Sequence, residues 1–431
     1  MPGLAGFINF NRTRDVAETR RDMVRMSNLL AHTSPCSEEV IAFDNGALSS
    51  VNLEAHPLHG LLSEDKTITL AFWGYLWDHE DLKKRTGLNF ENIRDISVGN
   101  LLLTLYNKEG IDGFSKLNGR FVIAIWSKRE KVLTLVNDRC GFCKLFYWVS
   151  SQRIFFASEY KAIVWHEDFP KKIDQQGLAD FMTLGYSTGD RTLFENIKLL
   201  PPASVATFKS NGNLSIQKYW DYSFYSEDDP LWLEEDYVDQ FAEILTKATQ
   251  RQIDFNKSIA LPLSGGYDSR ALAGMLDRLH FKGEVKAFSY GNQYAYDVAY
   301  GRKIAKNVGY EHSFIPIEST YLRDYAERFV WLLEGTVNCL NAHMLLPYPF
   351  IRMKDKDMAV YMKDSIYQAV KGKTFETLRS RYFQCPSRNR YFRSRYFSTL
   401  ERQRQYTSFN LHVFDFVAEV SSPFLDVEFV E

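Results

Sequence analysis

Two serines, two glycines and an aspartate fall together in Ser264-Gly265-Gly266-Tyr267-Asp268-Ser269, directly after an apolar run that ends at Leu263. Side chains of these kinds at this spacing suit one task, holding an anion. Glycine lacks a Cβ, so the backbone can approach a phosphate closely, while the hydroxyls of Ser264 and Ser269 and the main-chain N–H groups supply donors. A helix beginning here would add its unpaired N–H groups and the positive end of its dipole. A carboxylate such as Asp268 repels a bare phosphate, so its presence implies a divalent cation between them, Mg²⁺ on a nucleotide. The competing reading is an ordinary glycine turn capped by serine and aspartate.

Such a loop needs a strand to deliver it and a helix to leave it. Ser258 to Leu263 reads as a buried strand and Ala271 to Leu276 as part of a helix; Val285 to Tyr290 is the next strand, and Val298 to Val308 has helical periodicity. This alternation predicts an α/β parallel sheet with ligands at the carboxyl ends of its strands. The first 220 or so residues differ: β-branched and aromatic runs at 67–72, 120–126, 132–136 and 153–157 are interrupted by helical stretches near 15–30 and 97–108, the pattern of an α+β sandwich. The acidic, proline-ended Ser226-Glu227-Asp228-Asp229-Pro230 reads as a linker. The expected organisation is therefore 1–222, a linker at 223–230, and 231–431.

Composition sets limits on the rest. At 431 residues, with 45% hydrophobic and 25% charged, the chain has the balance of a soluble protein of two or three domains. A net charge of −2 gives no global attraction to nucleic acid or anionic membrane. Neither a long apolar span nor a secretory leader is evident, and five scattered cysteines fit a reducing compartment, so a cytoplasmic location is expected. Cys140-Gly141-Phe142-Cys143 has the spacing of a redox pair or half a zinc site, but no second ligand pair accompanies it, and turn residues are the expectation.

At the glycine loop the chain resembles the ATP pyrophosphatase superfamily, whose signature is SGGxDS, and within it the asparagine synthetase family. Asp297 to Ala305 followed by Gly309-Tyr310-Glu311-His312 is similar to that family's segment after the second strand, and Glu419 to Asp426 to its E-x-x-x-PFLD motif. The resemblance implies ATP and Mg²⁺, bound by Leu263, Ser264, Gly265, Gly266, Asp268, Ser269, Ser289 and Tyr290, with the metal held through pyrophosphate by Asp268 and Asp364. Asp364 stands where the family has a GDE-type loop, here Lys363-Asp364-Ser365, and Lys363, Lys371 and Lys373 are candidates for a basic group on the leaving pyrophosphate. The implied chemistry is carboxylate adenylation. The family continues beyond the PFLD aspartate, so a short C-terminus is also expected.

The N-terminal half is similar to class II glutamine amidotransferases at Gly3-Leu4-Ala5-Gly6-Phe7, Leu117-Asn118-Gly119-Arg120-Phe121, Asp138 to Gly141, Phe156 to Ala162 and Leu200 to Ala203. The resemblance implies an Ntn-hydrolase-like fold and glutamine hydrolysis by an N-terminal cysteine. Here position 2 is Pro2, which has no nucleophile. The glutamine anchors differ too: Ala47 replaces an arginine, Trp73-Gly74-Tyr75-Leu76-Trp77 an NGEIY-like strand, and Val98 an aspartate. Glutaminase activity is therefore expected to be absent, with Trp73, Tyr75 and Trp77 either filling the vacated pocket or lining it for another ligand.

Three fates remain for the synthetase half. It takes free ammonia, it takes an amine from its substrate as β-lactam synthetases and peptide cyclases do, or it binds ATP without catalysis. Relatives that close β-lactam rings pair a tyrosine with a glutamate to deprotonate the amine, and Tyr361 with Glu419 is the corresponding pair by resemblance. The arginine- and aromatic-rich stretch from Arg379 to Arg404 fits an amphipathic helical region better than a nucleic-acid surface, because no nucleic-acid fold motif accompanies it. The expected partners are a small carboxylate and an amine or ammonia, with no membrane; a homodimer is compatible with the sequence.

Overall fold

The computed structural model describes residues 2–347 except 11–12, 32–35, 54–61, 66, 90–96, 211, 223–233, 254 and 256–257. Tyr361, Lys363, Asp364, Lys371, Lys373, Glu419, the arginine-rich stretch and the linker at 223–230 lie outside the described residues.

The first part of the chain runs β1 (Gly3–Asn9), α1 (Val16–Asn28), β2 (Cys36–Phe43), β3 (Gly46–Leu53), β4 (Leu62–Glu64), β5 (Ile68–Leu76), α2 (His79–Thr86), α3 (Val98–Glu109), α4 (Asp112–Ser115), β6 (Gly119–Ser127), β7 (Val132–Asn137), β8 (Phe146–Val149), β9 (Arg153–Ala157), α5 (Lys161–Val164), α6 (Gln175–Leu184), β10 (Ile197–Leu199), β11 (Ser204–Lys209) and β12 (Leu214–Lys218). Its strands form two six-stranded sheets, in the orders β10-β8-β9-β1-β3-β2 and β12-β11-β7-β6-β5-β4, with antiparallel neighbours throughout.

Side-chain alternation explains how β5 comes to be buried along its whole length. Ile68, Leu70 and Phe72, with Phe121, Ile123 and Ile125 of β6, pack against Leu101, Leu102 and Leu105 of α3. The alternate residues, Trp73 and Tyr75 among them, take the other face. On that side of β6, Trp126 stacks on Phe43 of β2 with ring centroids 5.8 Å apart. Close pairing of β5 with β6 requires a glycine at 74, where φ is +140° and a Cβ would lie 2.2 Å from the Arg120 carbonyl oxygen.

Helix α1 begins where Asp15 caps it, its Oδ1 accepting the N–H groups of Ala17 (2.9 Å) and Glu18 (3.1 Å). Asp15→Ala is expected to cost about 1 kcal/mol and lower Tm by roughly 2–4 °C in a thermal melt. An unchanged Tm would show that water replaces the cap.

The second part runs α7 (Glu234–Gln252), β13 (Ile259–Pro262), α8 (Tyr267–Arg278), β14 (Val285–Gly291), α9 (Tyr296–Val308), β15 (Glu311–Pro316) and α10 (Tyr321–Leu333), then a 3₁₀ segment at Cys339–Leu345. Its strands form a parallel sheet in the order β13-β14-β15. Leu261, Leu263, Ala273, Leu276, Val285 and Ala287 make up most of its buried core.

By their contacts the described residues fall into two compact units, and the short segment Leu332–Asn338 belongs to the first of them. Glu334 anchors it there. The Glu334 carboxylate accepts the N–H groups of Tyr160 (2.9 Å) and Lys161 (2.6 Å), and the Tyr160 hydroxyl donates to the Glu334 carbonyl. These bonds hold Glu334 at φ +58°, a left-handed conformation that is strained for a residue with a Cβ.

Burial pushes the Glu334 carboxyl up to about 7, with Glu159 adding to the shift and Lys161 opposing it. A carboxyl whose folded pKa is raised binds more protons folded than unfolded, so its stabilisation is complete below its unfolded pKa and is lost as pH rises through 7. Relative to Glu334→Gln, the wild-type protein is expected to lose up to about 3 kcal/mol between pH 5 and 8. Parallel Tm-against-pH curves for the two proteins would show that Glu334 is already ionised across that range.

Candidate active site

The glycine loop forms where β13 ends and α8 starts. Leu263 is buried, Ser264, Gly265 and Ser269 are half-buried, and Gly266, Tyr267 and Asp268 are exposed. The two serines tie the loop to itself: the Ser264 N–H donates to Ser269 Oγ (3.1 Å), the two hydroxyls lie 3.1 Å apart, and the Gly266 N–H donates to Ser264 Oγ (3.1 Å). Ser269 Oγ also lies 3.2 Å from the Ser264 carbonyl oxygen. Ser264 and Ser269 thus brace the turn with the same hydroxyls that the sequence offered as phosphate donors.

What the loop presents outward is the start of α8. Gly266 is the N-cap residue and provides no side-chain cap. The N–H groups of Tyr267, Asp268 and Ser269 have no hydrogen-bond partner among the described residues, and neither does the Asp268 carboxylate. Unsatisfied first-turn N–H groups and the helix dipole together favour an anion at this point. A carboxylate beside it is left to a cation.

Three neighbours of the loop were not legible as such in the sequence. Asp297, in the first turn of α9, accepts the Gly265 N–H through Oδ1 at 3.2 Å. Arg270 donates through Nε to the Gly266 carbonyl (3.3 Å) and sets its guanidinium over the Tyr267 ring, 4.5 Å from the centroid, which places a fixed cation next to the turn. His312 of β15 lies with its Nε2 2.8 Å from Ser289 Oγ. The segments containing Asp297 and His312 stood out by resemblance, but only the parallel register brings them to the loop.

Ser289 is buried, and its hydroxyl reaches the Leu263 carbonyl at 2.5 Å, so any direct contact from this residue to a nucleotide falls to its backbone. Tyr290 is half-buried, its ring 5.6 Å from the His343 imidazole, and burial with the nearby Asp297 charge raises its phenol pKa. Leu263, Ser264, Gly265, Gly266, Asp268, Ser269, Ser289 and Tyr290 therefore occupy the end of β13, the loop and the end of β14.

In the first unit, the positions singled out by the resemblance to glutamine amidotransferases are all enclosed. Pro2 is buried just before β1, Ala47 lies on β3 opposite Phe7, and Val98 opens α3. Trp73 is 3% exposed and Trp77 7%, and the Arg120 guanidinium sits 4.3 Å from the centroid of the Tyr75 ring. Cys140 lies in the turn after β7. The Asp138 carboxylate gathers the N–H groups of Phe121, Cys140, Phe142 and Cys143 at 3.0–3.2 Å, so it shapes this turn. Desolvation and the Asp138 charge push the Cys140 thiol up to about 12. Neither Cys140 nor Cys143 is in a disulfide. Among the described residues no group of His, Cys, Asp and Glu is arranged to hold a metal by itself, and no helix is long and apolar enough to cross a membrane.

Residues 1–220, just over half of the chain, match the glutamine amidotransferase domain family, and residues 240–363 match the asparagine synthase family. Asparagine synthetase [glutamine-hydrolyzing] 3 of Bacillus subtilis (strain 168) is 30% identical over 298 residues, covering 67% of this chain and 47% of that protein. Asparagine synthetase [glutamine-hydrolyzing] 1 of the same strain is 25% identical over 77% of this chain and 52% of its own length. Amidase chyE of Penicillium rubens is 22% identical over 77% of this chain and 51% of its own. The chain thus spans about half the length of these curated relatives. With both family matches falling in order along one chain, and a glycine loop between strand and helix inside the second, this protein belongs to the asparagine synthetase family.

Proposed function

We propose that this chain is an ATP-dependent carbon–nitrogen ligase that activates a small carboxylate as its adenylate and passes the acyl group to free ammonia or to a substrate amine, without using glutamine. The observation that carries this reading is the uncapped start of α8, where three N–H groups and the Asp268 carboxylate have no hydrogen-bond partner among the described residues, at the exit of a parallel strand.

In this reading the loop binds ATP, and Asp268 and Asp364 would hold Mg²⁺ through the pyrophosphate, where it would neutralise charge on the leaving group. A carboxylate oxygen of the acyl substrate attacks the α-phosphorus, the bond from that phosphorus to the bridging oxygen breaks, and pyrophosphate leaves. Charge grows on the leaving group, and in this reading the first-turn N–H groups of α8 and Arg270 oppose it. A neutral amine then attacks the acyl carbon and AMP departs. Glu419 and Tyr361 are the candidate groups for taking the amine proton.

The first unit is read as an Ntn-hydrolase-like amidotransferase domain over 1–222 that has lost glutamine hydrolysis, followed by the linker at 223–230 and the synthetase domain over 231–431. Pro2, the enclosed aromatic side chains at 73, 75 and 77 and the protonated Cys140 thiol support this. A cytoplasmic, homodimeric enzyme is part of the proposal.

ATP–pyrophosphate exchange across a panel of α- and β-amino acids tests it. Exchange that depends on one carboxylate supports adenylation. Cyclisation of a substrate carrying its own amine would select the ring-closing form. Tight ATP binding with no exchange on any substrate would make this a nucleotide-binding homologue and overturn the proposal.

A further inference from the structure

Beneath the phosphate loop, a hydrogen-bonded chain runs from β15 to the loop's first carbonyl. The parallel register sets His312 of β15 opposite Ala287 of β14, so His312 and Ser289 project from the same face of the sheet. His312 Nε2 lies 2.8 Å from Ser289 Oγ, and Ser289 Oγ lies 2.5 Å from the carbonyl oxygen of Leu263, the residue just before Ser264. The Leu263 N–H is taken by the Phe288 carbonyl at 2.8 Å. Both main-chain groups of Leu263 are therefore fixed from β14. Helix α9 closes over this point because residue 301 is glycine: a Cβ there would lie 2.5 Å from Ser289 Oγ and 2.6 Å from the Leu263 carbonyl oxygen.

Counting protons orders the chain. A carbonyl oxygen only accepts, so the single hydroxyl proton of Ser289 goes to Leu263. Ser289 Oγ must then accept, and the donor is His312 Nε2–H. This assigns the Nε2-protonated tautomer and leaves Nδ1 bare. Burial, with the charge of Arg302, lowers the His312 pKa and keeps the ring neutral.

The carbonyl that Ser289 captures has electrostatic weight. Left loose at the end of β13, it could turn its negative end toward the position that the uncapped α8 start reserves for an anion. Drawn back into the sheet, it leaves that position to N–H groups.

We propose that His312 and Ser289 are positioning residues for nucleotide binding, holding the Leu263 carbonyl away from the phosphates through one relay. The proposal rests on the reading of the loop as an ATP site. If the relay acts as a unit, each break has the same consequence and two breaks have no more than one.

The test measures ATP·Mg²⁺ affinity by calorimetry on the full chain, with folding followed by circular dichroism. His312→Leu and Ser289→Ala are each expected to weaken binding about tenfold, and the double variant also about tenfold rather than about a hundredfold. His312→Gln, whose amide N–H can donate to Ser289 Oγ, is expected to recover most of the affinity. In ¹⁵N-labelled wild-type protein, His312 is expected to show a protonated Nε2 and a pyridine-type Nδ1 at neutral pH.

A folded His312→Leu variant that binds ATP as tightly as wild type, additive effects in the double variant, or an Nδ1-protonated tautomer would each overturn the relay. If His312→Leu does not fold, the tautomer and the Ser289→Ala affinity decide between the same outcomes. Wild-type protein that fails to bind ATP would instead overturn the reading of the loop, and the relay with it.

Discussion

Substituting Asp268 by alanine is expected to lower substrate-dependent ATP–pyrophosphate exchange by about 10³-fold while leaving the fold intact. The side chain is exposed in the first turn of α8 and has no hydrogen-bond or ion-pair partner among the described residues, so little stability depends on it. An acidic group at a helix N-terminus is worth about 0.3–1 kcal/mol, which bounds the loss and separates it from a folding defect. Asp268→Asn keeps the shape and removes the charge, and is expected to be nearly as inactive. Exchange within about threefold of wild type in both variants, measured at saturating Mg²⁺, would remove Asp268 from the reaction.

Glutamine given to the purified protein is expected to release ammonia no faster than buffer does, a deficit on the order of 10⁶-fold against a hydrolase that keeps its nucleophile. The argument is local. Pro2 presents no thiol before β1, and a thiol held up to about 12 is less than one part in 10⁴ thiolate at neutral pH by mass action. Amide synthesis should then depend on added ammonia or amine and remain unchanged when glutamine is supplied. A robust glutaminase rate that disappears in Cys140→Ser or Cys143→Ser would overturn this.

How much of this was legible in the sequence depended on whether the signal was contiguous. Strands β5, β6, β7 and β9 announce themselves by runs of isoleucine, valine and phenylalanine. Strand β3 does not, because Ser49, Ser50 and Asn52 are buried in it and their burial becomes visible only once β1 and β2 pair on either side. Helices α1 and α3 show their apolar spacing, whereas the short α2, with Leu82 and Thr86 as its buried residues, carries too little of it to stand out. Among nucleotide-site candidates, Ser264 to Ser269 could be read directly, since one turn holds all of them. Asp297 and His312 could not be given a place beside that turn: Asp297 is 32 residues beyond Gly265, and what joins them is the parallel register of β13, β14 and β15. Ser289 was expected near the nucleotide, but its hydroxyl points to Leu263 and His312, a direction that a strand sequence does not encode.

The turn gathered by Asp138 bears on a matter apart from catalysis. Oxidants and disulfides react with thiolates, and attack by hydrogen peroxide or glutathione disulfide slows in step with the fraction ionised. Burial, joined by the charge of the same carboxylate that collects four N–H groups, keeps the Cys140 proton in place, so the first cysteine of a pair with redox-motif spacing is chemically quiet. The first unit should therefore pass through oxidative stress with this turn unaltered, because its geometry depends on a carboxylate and not on the state of its sulfur.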